Sequence, residues 1–129
     1  MRPLRKIILH ASGHTSDNAR DIDRRHRARG LKRIGFHYVI CEDGRLERGR
    51  HIQEAGAHCL GFNADSVGVC LSGKGEVTTP QYLKLLRLVR KLDRRFHPIE
   101  LVRVGEVDRW VEDPLSINMT NLRKAAISS

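Results

Sequence analysis

Apolar and polar positions along this chain repeat at two periods, and the switches between them mark out its elements. Ile7-Ile8-Leu9 is a short apolar run ending at His10, the pattern of a buried strand that delivers a side chain to the end of a sheet. Residues 12–18 are polar. Asn18 then caps a helix running to about Arg29, with Gly30 at its stop and only Ile22, His26 and Ala28 as inward-facing candidates. Phe36-His37-Tyr38-Val39-Ile40 alternates as a strand. Glu42-Asp43-Gly44-Arg45 supplies a hairpin turn, and Leu46-Glu47-Arg48-Gly49-Arg50 returns. Ser66-Val67-Gly68-Val69-Cys70-Leu71 is continuous enough for a central strand. Thr79-Pro80 opens the clearest helix, with Tyr82, Leu85, Leu86, Val89, Leu92 and Phe96 on one face and His97-Pro98 at its end. Residues 99–104 read as another strand, and Ser116 caps a short final helix to about Ala125. The order β-α-β-β-loop-β-α-β-α predicts an α/β fold: a single domain over residues 1–129, with a central mixed β-sheet flanked by helices.

Composition narrows the class. A chain of 129 residues with 40% hydrophobic and 30% charged positions holds one core and is neither a disordered tail nor a membrane protein. The longest uninterrupted apolar run before His10 in Met1-Arg2-Pro3-Leu4-Arg5-Lys6-Ile7-Ile8-Leu9 is three residues, too few for a secretory signal, so the expected location is the cytoplasm. Cys41, Cys59 and Cys70 form no C-x-x-C pair, which argues against a disulfide framework or a zinc knuckle; Cys70 reads as a small core residue. Lys and Arg number 24 against 15 Asp and Glu, for a formal charge of +9. They crowd residues 20–33 and 84–95. Such runs usually mark solvated helix faces, yet the balance favours an anionic partner: a nucleotide, an acidic wall polymer or nucleic acid. Six aromatic residues without a stacking platform disfavour nucleic acid, and no apolar run suits a membrane.

Seven histidines are many for this length, and three lie where an α/β sheet binds ligands. His10 ends a strand, His37 starts one, and His58 sits in the loop before the central strand. Singly, each reads as a hydrogen-bonded structural residue. Together they predict a zinc site or a polar pocket. In order along the chain stand Ile8-Leu9-His10-Ala11-Ser12, Asp21-Ile22, Arg25-His26, Arg29-Gly30, Ile34-Gly35-Phe36-His37-Tyr38-Val39-Ile40, Asp43-Gly44, Glu47-Arg48-Gly49-Arg50, Gly56-Ala57-His58, Gly61-Phe62-Asn63 and Ser66-Val67-Gly68-Val69-Cys70. This series resembles the type-2 N-acetylmuramoyl-L-alanine amidases, the group of phage lysozyme-type amidases and peptidoglycan recognition proteins. The resemblance is continuous over about residues 7–92 and looser to 122.

The resemblance implies that fold, and a zinc ion with three protein ligands whose water attacks the amide between muramic acid and L-alanine. His10 fits the first ligand and Asp113, before Pro114, the third. Val104 stands where the second, a histidine, belongs. Phe36 replaces an assisting tyrosine, and Val111 and Glu112 occupy the neighbourhood of an assisting lysine. Losing one oxyanion-type donor costs roughly 100- to 1,000-fold in rate, so losing a ligand and a donor together points away from zinc hydrolysis. His14 lies in a loop from which it could swing toward His10, whereas His97 falls on the wrong edge. His37, His58, Asn63 and Ser66 match family positions that line the cleft. Their plain alternative is structural, with Asn63 as a turn residue and His37 bonded to backbone.

Three expectations follow. The first is a binding protein without a cofactor that holds a small anionic ligand, a peptidoglycan fragment or a signalling nucleotide, as a phage-encoded sponge would. Its site would be His10, Phe36, His37, His58 and Asn63, with Arg33 nearby. The second is an enzyme with His10, His37 and His58 as catalytic candidates. It would be an amidase with zinc recruited by His10, Asp113 and one of His14, His37 or His58, or a metal-free hydrolase working on a phosphodiester through His10 and His58. The third is a regulatory protein-binding module using the basic helix near Arg20.

Overall fold

The computed structural model describes residues 2–128. Ile7-Ile8-Leu9 lies at the heart of β1 (Lys6–Ala11), whose four central residues are all buried. Asn18 caps α1 (Ala19–Ala28) by accepting from the Asp21 N–H, and the Asp21 carboxylate accepts in return from the Asn18 N–H. Gly30 follows with φ +97°, the left-handed stop that glycine takes without strain. β2 (Tyr38–Ile40) and β3 (Leu46–Arg48) form the hairpin, and a 3-10 turn (Asn63–Asp65) leads into β4 (Ser66–Leu71), buried at every position. Thr78 caps α2 (Thr79–Phe96); β5 (Glu100–Arg103), α3 (Val104–Val107) and α4 (Met119–Ala126) complete the order.

The five strands form one mixed sheet in the order β3-β2-β4-β1-β5, parallel except for β3. Side chains alternate across it. Ile7, Leu9, Val67, Val69, Leu71 and Leu101 face α2 and α4, packing on Leu85, Val89, Leu92 and Leu122. Ile8, His10, Ser66, Gly68, Cys70 and Val102 face the other way. There α1 covers the β2 side through Ile22, Ile34, Phe36 and Val39, while Cys59, Val104 and Val107 pack on Ile8 and Val102. No helix among the described residues is long and apolar enough to cross a membrane.

Several boundaries differ from the sequence expectation. The last helix is capped by Asn118, which accepts from the Asn121 N–H, and not by Ser116; Ser116 instead bridges to Glu76. Two residues with capping side chains stand two apart, and the chain must reach the Glu76 bridge before it turns. Val104 starts α3 rather than ending a strand, because the Glu106 carboxylate accepts from the Arg103 N–H and closes a turn. Phe36 and His37 precede β2, although the His37 N–H still donates to the Gly68 carbonyl at 2.9 Å. On α2 the buried stripe also takes in Gln81, Leu88 and Asp93.

Gln81 ties helix to sheet. Fully buried, it donates from Nε2 to the carbonyls of Ile40 (3.1 Å) and Ser72 (2.8 Å), where β2 and β4 end, while Oε1 accepts from the Thr78 N–H. Gln81→Leu keeps the volume but strands these partners, so urea denaturation should show a loss of about 2 kcal/mol. A loss below about 0.5 kcal/mol would mean that water takes over those bonds.

Candidate ligand-binding cleft

The cleft lies at the C-terminal ends of β1 and β4, on the face that carries α1. Small residues on that face of β4 make room for a ring. The His58 imidazole lies against Gly68, where a Cβ would come within 2.6 Å of two of its carbons. The loop holding it turns on Asn63, whose Oδ1 accepts from the N–H groups of both His58 and Cys59 at 2.9 Å. Asn63 therefore braces the histidine by way of its backbone.

The hydrogen bonds assign the proton positions. Ser66 Oγ donates to the Phe62 carbonyl at 2.6 Å and lies 3.2 Å from His58 Nε2, which must then carry the proton it donates to Oγ. His58 Nδ1 is left as an acceptor for His10 Nε2–H, 2.9 Å away. His10 Nδ1 thus keeps a lone pair and makes no hydrogen bond among the described residues. Burial pushes the His10 pKa down to about 4, against the pull of the Asp113 charge. Burial, reinforced by the charges of His10 and His37, lowers His58 further. Both rings are neutral at neutral pH.

His37 is committed to the backbone. Its Nδ1 accepts from the Gly68 N–H at 3.0 Å and its Nε2 donates to the Glu54 carbonyl at 2.7 Å, so the ring continues the β2–β4 ladder. Its centroid is 5.9 Å from that of His58, but its nitrogens are in use. Phe36 forms the floor, 4.9 Å from His10 and 5.4 Å from His26 between ring centroids. Arg33 is turned away, paired with Glu54. Arg2, which sequence reasoning passed over, donates to the carbonyls of Ile52, Asn63 and Ala64 and holds the loop under His37. Nothing in a terminal arginine announces that role.

Two cavities meet at Ala11. One of about 200 Å³ is lined by Ser12, Arg25, His26, Arg29, Phe36 and His58; the other, about 380 Å³, by Gly13, Lys74, Glu112 and Pro114. Arg25 is forked onto Asp17, whereas Arg29 has no ion pair among the described residues. A larger cavity of about 810 Å³ runs between β5 and α4, at Arg5 and Lys6, the opposite end of β1 from the histidines. Among the described residues it shares no wall with them.

The donors present do not fit a tetrahedral zinc ion. Val104 is an alkyl group buried with Ile8 and Cys59. The Asp113 carboxylate accepts four N–H bonds: from Arg103 Nε (2.9 Å) and Gly105 (2.8 Å) on Oδ2, and from Arg103 Nη2 (3.0 Å) and Leu115 (3.2 Å) on Oδ1. These occupy about all of its lone-pair directions. Burial opposes its charge, but Arg103 and the two backbone groups outweigh that and hold its pKa below the usual range. His14 is exposed and bonds within its own loop, to Ser12. Among the described residues no three His, Cys, Asp or Glu side chains are grouped to hold a metal.

Comparison with known proteins agrees with this architecture. Residues 1–109 match the N-acetylmuramoyl-L-alanine amidase family model. The endolysin of Enterobacteria phage K11 is 43% identical over 128 residues, covering 83% of this chain and 85% of that protein. Another phage endolysin is matched over only 47% of its length, so the chain spans about half of that relative. Among solved structures, the N-acetylmuramoyl-L-alanine amidase LysC from Clostridium intestinale superposes with a TM-score of 0.90 and 27% identity, over 98% of this chain and 88% of that one. Peptidoglycan recognition protein-LE, solved in complex with tracheal cytotoxin, shares the fold at TM-score 0.82 and 19% identity, over 96% and 81%. An α/β fold of this class with its cleft at the strand ends is the amidase and peptidoglycan-recognition fold. The chain belongs to the type-2 N-acetylmuramoyl-L-alanine amidase family.

Two measurements test the cleft. Asp113→Ala leaves Arg103 and two backbone N–H groups unpaired, and should lower stability by about 2–4 kcal/mol in denaturant titrations with or without a chelator. A loss seen only after zinc is added would instead make Asp113 a metal ligand. For pH, the folded pKa values of His10 and His37 lie at about 4 against 6.5 for the free side chain. The unfolded chain therefore binds more protons between these values, so the urea midpoint should fall as pH drops from about 6.5 to about 4. A midpoint unchanged across that window would contradict the buried, neutral assignment.

Proposed function

We propose that this chain binds peptidoglycan fragments in the cleft across the ends of β1 and β4, by hydrogen bonding and without a zinc-activated water. The observation that carries this reading is the four-bonded Asp113 carboxylate, held by Arg103 beside a buried Val104. With one ligand position apolar and another saturated, His10 is the only donor left of the family's three. Its Nδ1 lone pair, left unused by the His58–Ser66 line, accepts a hydrogen bond from a peptide N–H or a sugar hydroxyl. Arg29 and Lys74, one in each cavity, suit the carboxylates of a peptide stem.

A muropeptide suits this cleft better than a signalling nucleotide. The cations of α2, namely Lys84, Arg87, Arg90, Lys91, Arg94 and Arg95, lie on the helix that covers the opposite face of the sheet. Arg25, in the cleft, is already neutralised by Asp17. The relatives point the same way: endolysins, an amidase, and a recognition protein whose structure holds a monomeric peptidoglycan. A chain that sequesters such fragments without cutting them is consistent with these observations.

Calorimetry with N-acetylmuramoyl-L-alanyl-D-isoglutamine, on protein dialysed against a chelator, tests the reading. Binding should persist in chelator, and mass spectrometry should find no cleaved amide after zinc is restored. Cleavage that appears with zinc would overturn it in favour of an active amidase.

A further inference from the structure

Among the described residues four large hydrophobic side chains stand exposed, and three of them lie on two loops next in sequence to cleft residues. Leu60 (89% exposed), Trp110 (86%) and Val111 (45%) lie on two loops; only Leu83 is elsewhere, on α2. Leu60 follows His58 and Cys59 directly. Trp110 and Val111 precede Glu112, which lines a cleft cavity, and Asp113, whose charge acts on His10. The loops adjoin, since Cys59 and Phe62 from one pack with Val104 and Val107, at the root of the other, over Ile8 and Val102. An apolar rim thus continues from the polar cleft.

We propose that Trp110 is a stacking platform for the sugar ring of a peptidoglycan fragment whose peptide lies in the cleft, with Leu60 taking the methyl of its N-acetyl group. This rests on the binding function proposed above. Arg109 covers one face of the indole, its guanidinium carbon 5.4 Å from the ring centroid, and leaves one face open. One open aromatic face with Asp108, Arg109 and Glu112 beside it matches the chemistry of a pyranose, which has an apolar C–H face and a rim of hydroxyls. A second copy of the chain is a poorer occupant. Three side chains fall far short of the roughly 20–30 residues per partner that a stable interface uses.

Trp110 is the chain's one tryptophan, so its fluorescence reads its surroundings directly. Titration with N-acetylmuramoyl-L-alanyl-D-isoglutamine should shift the emission to the blue, whereas L-alanyl-D-isoglutamine, which lacks the sugar, should bind without moving it. By calorimetry Trp110→Ala should weaken the muramoyl ligand about fivefold and leave the free dipeptide unchanged. Trp110→Phe should restore most of the loss, and Leu83→Ala, across the molecule, should have no effect. If both ligands bind but the emission and the Trp110→Ala affinity do not change, the platform is overturned while the cleft reading stands. If neither ligand binds, both fall. Emission that shifts with protein concentration alone would assign the rim to a second copy and overturn the sugar platform.

Discussion

The parallel pairing of β1 with β4 is the constraint from which the cleft descends. Both strands are buried on both faces, so each residue's side is fixed by its parity, and a slip of one residue would exchange core for cleft. That parity puts Val67, Val69 and Leu71 under α2 and leaves Ser66, Gly68 and Cys70 facing α1. The second set is small, and smallness is what the site uses. Ser66 offers a hydroxyl to His58, and Gly68 offers the space the ring occupies. His10, paired with Cys70 in register, arrives on the same face and meets the ring held there.

From this pairing follows a chemical limit. A line running from His10 through His58 and Ser66 to the Phe62 carbonyl is satisfied with both imidazoles neutral, and burial penalises any extra proton. Such a line orients one lone pair; it does not store charge. Across the cleft, Arg103 and Asp113 do the opposite. They bring two full charges together, largely withdrawn from water, and recover the desolvation cost through a bidentate fork supplemented by two backbone donors. The fork, with Arg103 also donating to the Leu115 carbonyl, fastens the segment after α3 to the end of β5. A carboxylate so engaged is an anchor, and the loop that carries Trp110 hangs from it.

Much of this was legible in the sequence wherever one short-range rule decides. Asn18, Gly30 and the Thr79-Pro80 opening each mark a helix end by a local rule, and the continuous run Ser66-Val67-Gly68-Val69-Cys70-Leu71 marks a strand. The choice between Ser116 and Asn118 as a cap was not local, because Ser116 is claimed by a bridge to Glu76, forty residues away. The histidines divide for the same reason. His10 and His58 are brought together by tertiary contact, while His37, identical in kind, is consumed by the Gly68 and Glu54 backbone. Asn63 shows that a residue can match a cleft position and serve only the loop beneath it. Arg103 was invisible: one arginine among many, until a fold brings Asp113 to its guanidinium.

The charge teaches a related lesson. A net +9 suggests an anionic ligand, but only its placement says where that ligand would sit. On α1, Arg24, Arg25 and Arg27 each have a carboxylate within ion-pair distance. On α2, Lys84, Arg87, Arg90, Lys91, Arg94 and Arg95 have none among the described residues, and the helix's one acid, Asp93, is buried and turned to His97 and the Ser128 N–H. These six unpaired cations therefore lie on the helix behind the sheet, on the face opposite His10, while Arg29 and Lys74 line the cleft cavities. Within roughly 8 Å of salty water such a field fades, so it does little to select what enters the cleft. In the proposed binding role, selection there falls to short-range groups: the unused lone pair on His10, Arg29 and Lys74 in their separate cavities, and whatever the apolar rim of Leu60 and Trp110 accepts. Those groups ask for a ligand with peptide, carboxylate and apolar parts in one small molecule, which is a narrower demand than negative charge alone.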